Sequence, residues 1–239
     1  MFKKACKNTA LGVLSAFALW SGGAVAAPIT ITGPANDFTI NWSYSPVSGS
    51  TASATGVFDV TSLTATTLTI NVKLTNTSTG LVNAGITSFG FNVNPNATNA
   101  SINTLGSFDT ATDSDRFDGI AFDNLPAIAA IEICAYSGNN CNGGPQNNLL
   151  GIGETDYFTL TIFGSFGVSP SVTFLDVTSN TLYGGTGPFG IKFQTNLGSY
   201  EFTGNTPPPG GGDDPVPIPG VAFLLGLGLL GVSSVRRKS

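Results

Sequence analysis

The chain contains no histidine, and its one methionine is the initiator Met1. Without imidazole it lacks the usual general base, the usual activator of a serine or cysteine nucleophile, and the commonest transition-metal ligand. Serine-histidine-acid and cysteine-histidine catalysis are therefore excluded. Zinc hydrolysis is nearly excluded as well, because two of the three cysteines, Cys134 and Cys141, are all that the central part of the chain could offer such a site. Charge is scarce, at 10% of residues, and positive charge is scarcer and displaced to the ends. Lys3, Lys4 and Lys7 lie near the start and Arg236, Arg237 and Lys238 at the finish, which leaves Lys73, Arg116 and Lys192 for everything between. Twelve acidic residues share that middle span, so its formal charge is about −9 and it has no basic surface for nucleic acid or anionic lipid. Nothing in it has the periodicity of a long amphipathic helix.

What is present begins with two ends that carry addresses. Three lysines, an apolar run from Ala10 to Trp20 and the small residues Ala24-Val25-Ala26 form the three regions of a cleaved secretory signal, predicted over 1–26. The alternative is an uncleaved anchor, for which the apolar run is short. At the other end Pro215, Pro217 and Pro219 hold the chain extended, and a helix is expected over about 220–235, ahead of the basic cluster. From Val221 to Val235 such a helix would rise roughly 22 Å, short of a hydrocarbon layer of about 30 Å. It would make a marginal anchor, with the basic residues in the cytoplasm and the body outside. Residues 206–215, TPPPGGGDDP, read as a proline-glycine linker.

The remaining body, 27–205, alternates apolar and polar residues with period two in many short runs. Leu68, Ile70, Val72 and Leu74 face opposite to Thr69, Asn71, Lys73 and Thr75, and Phe158, Leu160 and Ile162 repeat the pattern. About ten such segments, separated by Gly, Asn, Ser and Pro, predict an all-β fold, a single antiparallel β-sandwich of jelly-roll or immunoglobulin-like kind. Once the signal is removed, Cys134 and Cys141 form an even pair in an oxidising compartment, and a structural disulfide closing a small loop is expected.

The C-terminal segment, Val216-Pro217-Ile218-Pro219 followed by the apolar stretch and Arg236, Arg237 and Lys238, resembles the PEP-CTERM sorting signals of Gram-negative bacteria. Ile218 stands where the namesake motif has glutamate. In the body, ITSFGFNVNPN near Ile86, FDNLPAIAAIEICAYSGNNCNGG from Phe122, DYFTLTIFG and IKFQTNLGSYEF from Ile191 resemble the cistern group of such proteins. The resemblance implies processing by an exosortase, a membrane-embedded cysteine protease. It implies export across the inner membrane, a transient anchor there, and a final place at the cell surface or outside, in an exopolysaccharide or biofilm matrix. A plain single-pass anchor is the other reading of the tail.

Three constellations could carry chemistry. Asp109, Asp113, Asp115, Asp118 and Asp123, in FDTATDSDRFDGIAFDN, could wrap a calcium ion, although one residue is inserted relative to the familiar loop and no glutamate closes it. A solvated loop of Asx turns is the preferred reading, and no other cofactor is expected. Trp42 and Tyr44 share a strand face with Ile40 and could stack on sugar rings, but the spacing suits a core face equally well, and core is preferred. Glu132, Glu154 and Glu201 are the only glutamates, and each is expected at the surface with no partner for glycoside hydrolysis. The expectation is a non-enzymatic structural or adhesive protein, with a carbohydrate-binding module as the alternative.

Overall fold

The computed structural model describes residues 28–104, 114–143, 148–180 and 185–206. The predicted signal, the linker beyond Thr206 and the sorting segment lie outside the described residues, as do Val216, Pro217, Pro219, Arg236, Arg237 and Lys238. Among the described residues no helix is long and apolar enough to cross a membrane.

The described chain is all β, in antiparallel sheets. One sheet has the order β2 (Phe38–Tyr44), β3 (Ala52–Leu63), β4 (Thr67–Asn76), β10 (Thr155–Gly164), β6 (Ala97–Asn103). The other runs β1 (Ile29–Ile31), β11 (Val172–Leu175), β5 (Gly85–Asn94), β14 (Phe189–Thr195), β15 (Gly198–Gly204). On the β11 side of β5, β9 (Ile133–Ser137) pairs with Ser88–Phe91 and carries β7 (Phe117–Ala121) on its far edge, while β11 takes the rest of that edge from Asn92 onwards. A third, small sheet joins β13 (Thr186–Gly187), β12 (Val177–Ser179) and β8 (Ile128–Ala129).

The two large sheets meet face to face through their alternating apolar residues, a sandwich-like arrangement. Phe58 and Phe158 of one touch Phe89, Phe117 and Phe189 of the other at centroid distances of 4.8–6.4 Å. Such ring pairs add to the burial of large apolar area. One side of the sandwich is partly closed by backbone, because Asn41 on β2 exchanges hydrogen bonds of 2.9 and 3.1 Å with Asn205, just past β15.

The outward face of the five-stranded sheet is polar and hydrogen-bonded along rows. Thr55 Oγ1 donates to Asn41 Oδ1, Thr75 and Thr155 join through their hydroxyls at 3.0 Å, and Thr159 Oγ1 donates to Asn71 Oδ1. The outward face of the other large sheet is covered. Leu125, Ile128, Ile131 and Val177, from the segment around β8 and from β12, pack with Cys134 and Cys141 into a second apolar cluster. This outer layer is a departure from the single sandwich of about ten strands that the alternation predicts. The apolar runs 128–134 and 171–177 each divide between two strands, at Ala130 (φ 66°) and at Asp176, because the chain there leaves one layer for the next.

Candidate functional site

The outer layer holds the densest chemistry among the described residues. Cys134, on β9, faces outward opposite Gly90 and is joined by a disulfide to Cys141, seven residues on. Both cysteines are buried, and Ser88 Oγ donates to the Cys141 carbonyl at 3.1 Å, so the bridge fastens its loop to the sheet. The expected disulfide is present.

Beside it lies an ion pair that the sequence does not announce. Lys192 on β14 and Glu201 on β15 stand directly opposite each other on the outward face, each about 5% exposed, with Nζ 2.7 Å from Oε1. The second carboxylate oxygen, Oε2, accepts the backbone N–H of Ala127 at 2.5 Å. One carboxylate thus satisfies a buried ammonium and holds down the segment that covers both. The expectation that Glu201 lies at the surface is corrected: the outer layer roofs it over.

Two glycines make room for that roof. Gly90 and Gly190 are in register on neighbouring strands. A Cβ at Gly190 would stand 2.5 Å from Ile128 Cδ1, and one at Gly90 would stand 2.8 Å from Ile131 Cγ2 and 3.0 Å from the Ile133 carbonyl oxygen. The pair forms a socket that only a bare backbone provides.

A further buried carboxylate, Asp156, sits on the inward face of β10. Its Oδ2 accepts the backbone N–H groups of Arg116 and Phe117 at 3.0 and 2.6 Å, tying the start of β7 to the other sheet. The signal for it was present, since Asp156 falls in phase with Phe158, Leu160 and Ile162. Glu154 lies at the end of that strand, 3.7 Å from Arg116 Nη2 and part-exposed, a geometry that contributes little. Glu132 is part-buried; burial pushes its carboxyl above the ordinary carboxylate range, opposed by hydrogen bonds from the backbone of Val93 and Ala97. Burial likewise raises Asp176.

The sequence-derived candidates are dispersed. Trp42 is 1% exposed, its Nε1 donates to the Phe189 carbonyl at 3.1 Å, and its ring meets Phe189 edge-on, so it is core and no sugar platform. Tyr44 is half-buried against the rings of Tyr200 and Phe202. Asp109 and Asp113 lie outside the described residues. Asp115 precedes β7 in a left-handed conformation (φ 46°), Asp118 is exposed on β7, and Asp123 accepts the N–H of Asn124. Among the described residues no three His, Cys, Asp or Glu side chains gather closely enough to hold a metal ion. Comparison with protein-family models, with curated proteins and with solved structures finds no match to this chain.

Proposed function

We propose that the chain is an exported, non-enzymatic structural or adhesive protein, a single β-sandwich domain delivered across the inner membrane by a cleaved leader. Its C-terminal segment anchors it transiently and is processed by an exosortase-type protease near Val216–Pro219. The mature body then resides at the cell surface or in the extracellular matrix, with polysaccharide as its surroundings and partner. The observation that carries this reading is the buried Cys134–Cys141 disulfide within the outer layer, because persistent bridges belong to oxidising compartments outside the cytoplasm. The acidic, cation-poor body supports it, since such a surface stays soluble among anionic polymers. With Trp42 in the core, the carbohydrate-binding alternative keeps only the polar rows on the five-stranded sheet, where Tyr157 stands beside Lys73.

Intact mass of the protein recovered from the matrix fraction tests this. The expected species begins at Ala27, lacks the basic terminus and carries the intact disulfide. A species retaining Ser239, or one found only in the cytoplasm, overturns the reading.

A further inference from the structure

The chain leaves the sandwich along the edge of β2. Asn205 exchanges both backbone hydrogen bonds with Asn41, so the odd-numbered residues of β2 turn their N–H and C=O groups to that edge while the even-numbered ones serve β3. Thr39 is the next residue with groups on that edge, and antiparallel register places Pro207 opposite it. Beside this path lies a groove of about 340 Å³, bounded by Asp37, Phe38, Thr39, Val57 and Thr206 itself. Its apolar lining is Phe38, half-buried at the sheet edge, and Val57, 40% exposed on the outward face. Among the described residues Val57 is the one exposed large hydrophobic side chain in the strands of the five-stranded sheet. Asp37 is engaged elsewhere, since its Oδ1 accepts the Val60 N–H at 2.9 Å.

The sequence that follows the bridge is Thr206-Pro207-Pro208-Pro209. Thr206, Pro207 and Pro208 each precede a proline, which disfavours helix and keeps them extended. The rings fix φ for the three prolines as well. The direction set at Asn205 is therefore carried on at about 3.1 Å per residue, past Thr39 and toward Asp37, before Gly210 gives the chain its freedom. Proline also matches what the groove offers. Its ring is apolar, as Val57 and Phe38 require, and its carbonyl can accept the Thr39 N–H. It has no N–H of its own, so a strand arriving from outside finds no donor there, which is how natural sheet edges are blunted.

We propose that this groove is the seat of the chain's own Pro207–Pro209, which lie as a strap over the edge of β2, with the Pro207 carbonyl on the Thr39 N–H and the rings against Val57 and Phe38. The strap closes this edge of the five-stranded sheet to strand addition by other chains. It also shortens the tether. Only Gly210–Pro215, about 20 Å at full stretch, then separate the body from Val216. The inference goes beyond the proposed function and stands without it, because these prolines precede the segment assigned to processing and seat equally in a processed or an unprocessed chain.

Nuclear magnetic resonance on the isotope-labelled chain, as isolated from cells, tests the strap. Nuclear Overhauser contacts are expected between the Val57 methyls and the ring protons of Pro207–Pro209, and the Thr39 amide is expected to exchange slowly with solvent. The combined replacement Pro207→Gly, Pro208→Gly and Pro209→Gly should speed Thr39 exchange by about tenfold or more. The amide of Ile70, buried on the central strand β4, should keep its rate and so report an intact sandwich. Should Ile70 be unsettled too, the contacts to Val57 in the wild type decide alone. Absence of those contacts, or Thr39 exchange indifferent to the proline replacement while Ile70 holds, overturns the proposal. So does Thr39 protection that grows with protein concentration, since a second copy would then be covering the edge.

Discussion

Lys192 and Glu201 show how one residue pair can be costly and indispensable together. Moving two charges out of water is expensive, and the pair recovers that cost only through its 2.7 Å contact and the Ala127 N–H on the remaining oxygen. Removing one partner should therefore hurt more than removing both. Glu201→Ala leaves a buried ammonium unsatisfied and frees the part-buried Ala127 N–H, and urea unfolding should register a loss of about 3–5 kcal/mol. The double replacement Lys192→Met with Glu201→Leu should recover most of it; a double variant as unstable as the single one would contradict this account. Neither residue is legible from sequence. In IKFQ and YEF the alternation places Ile191, Phe193 and Phe202 inward, so Lys192 and Glu201 read as solvated. That inference fails because period two reports which face of a strand a residue occupies, and says nothing of whether another layer covers that face. Asp156 is the opposite case: its phase with Phe158 marks it as inward, and only its charge argues against burial.

Among the elements, the outer layer is seated on the sandwich by the Gly90–Gly190 socket, the Ala127 hydrogen bond, the disulfide and the Glu132 N–H to the Phe91 carbonyl. Gly190→Val should lift Ile128 from its seat and destabilise the protein by about 1–3 kcal/mol, as overpacking does. Proteolysis should then cut within 122–132 while the two large sheets stay intact. Cleavage spread evenly over the chain would show instead that the outer layer and the sandwich unfold as one unit. The long strands were legible because Thr, Val, Ile and Phe alternate in them without interruption. β6, ATNASIN, is not legible because it is an edge strand with one buried side chain, Ala100, and so carries no apolar alternation. β8, β12 and β13 were missed as a sheet because two- and three-residue pairings are set by the packing above the glycines, not by their own composition.

For the molecule as a whole, acidity and burial combine in its response to pH. Glu132 and Asp176 both have carboxyls raised by burial, at the places where the chain passes between the outer layer and β5. Between the ordinary carboxylate range and the raised folded-state values, the native state therefore holds protons that the unfolded chain releases. Stability from this source is complete below the ordinary carboxylate range and is lost as pH rises through the folded-state values. Mild acidification also relieves the self-repulsion of a body with few cations. The urea midpoint should rise on going from about pH 7 toward pH 5, and Glu132→Gln should flatten part of that rise. A midpoint that falls over the same interval would show that other carboxylates, with lowered values, dominate. Whole-molecule features were the least legible in sequence: alternation predicted a sandwich, but which loops share an end follows from strand order, and strand order leaves no trace in composition.

The Asn41–Asn205 bridge has a mechanical side. Asn205 and Thr206 continue β15 alongside β2, so tension applied at Thr206 in that direction runs down the axis of β15. That strand is held to β14 by seven register pairs, and antiparallel hydrogen bonds stand perpendicular to the strands. A load along the strand is shared by all of them in shear, whereas a load across it would break them one after another. Under the proposed attachment through the C-terminal segment, a pull on it would be met along the direction in which β15 resists best.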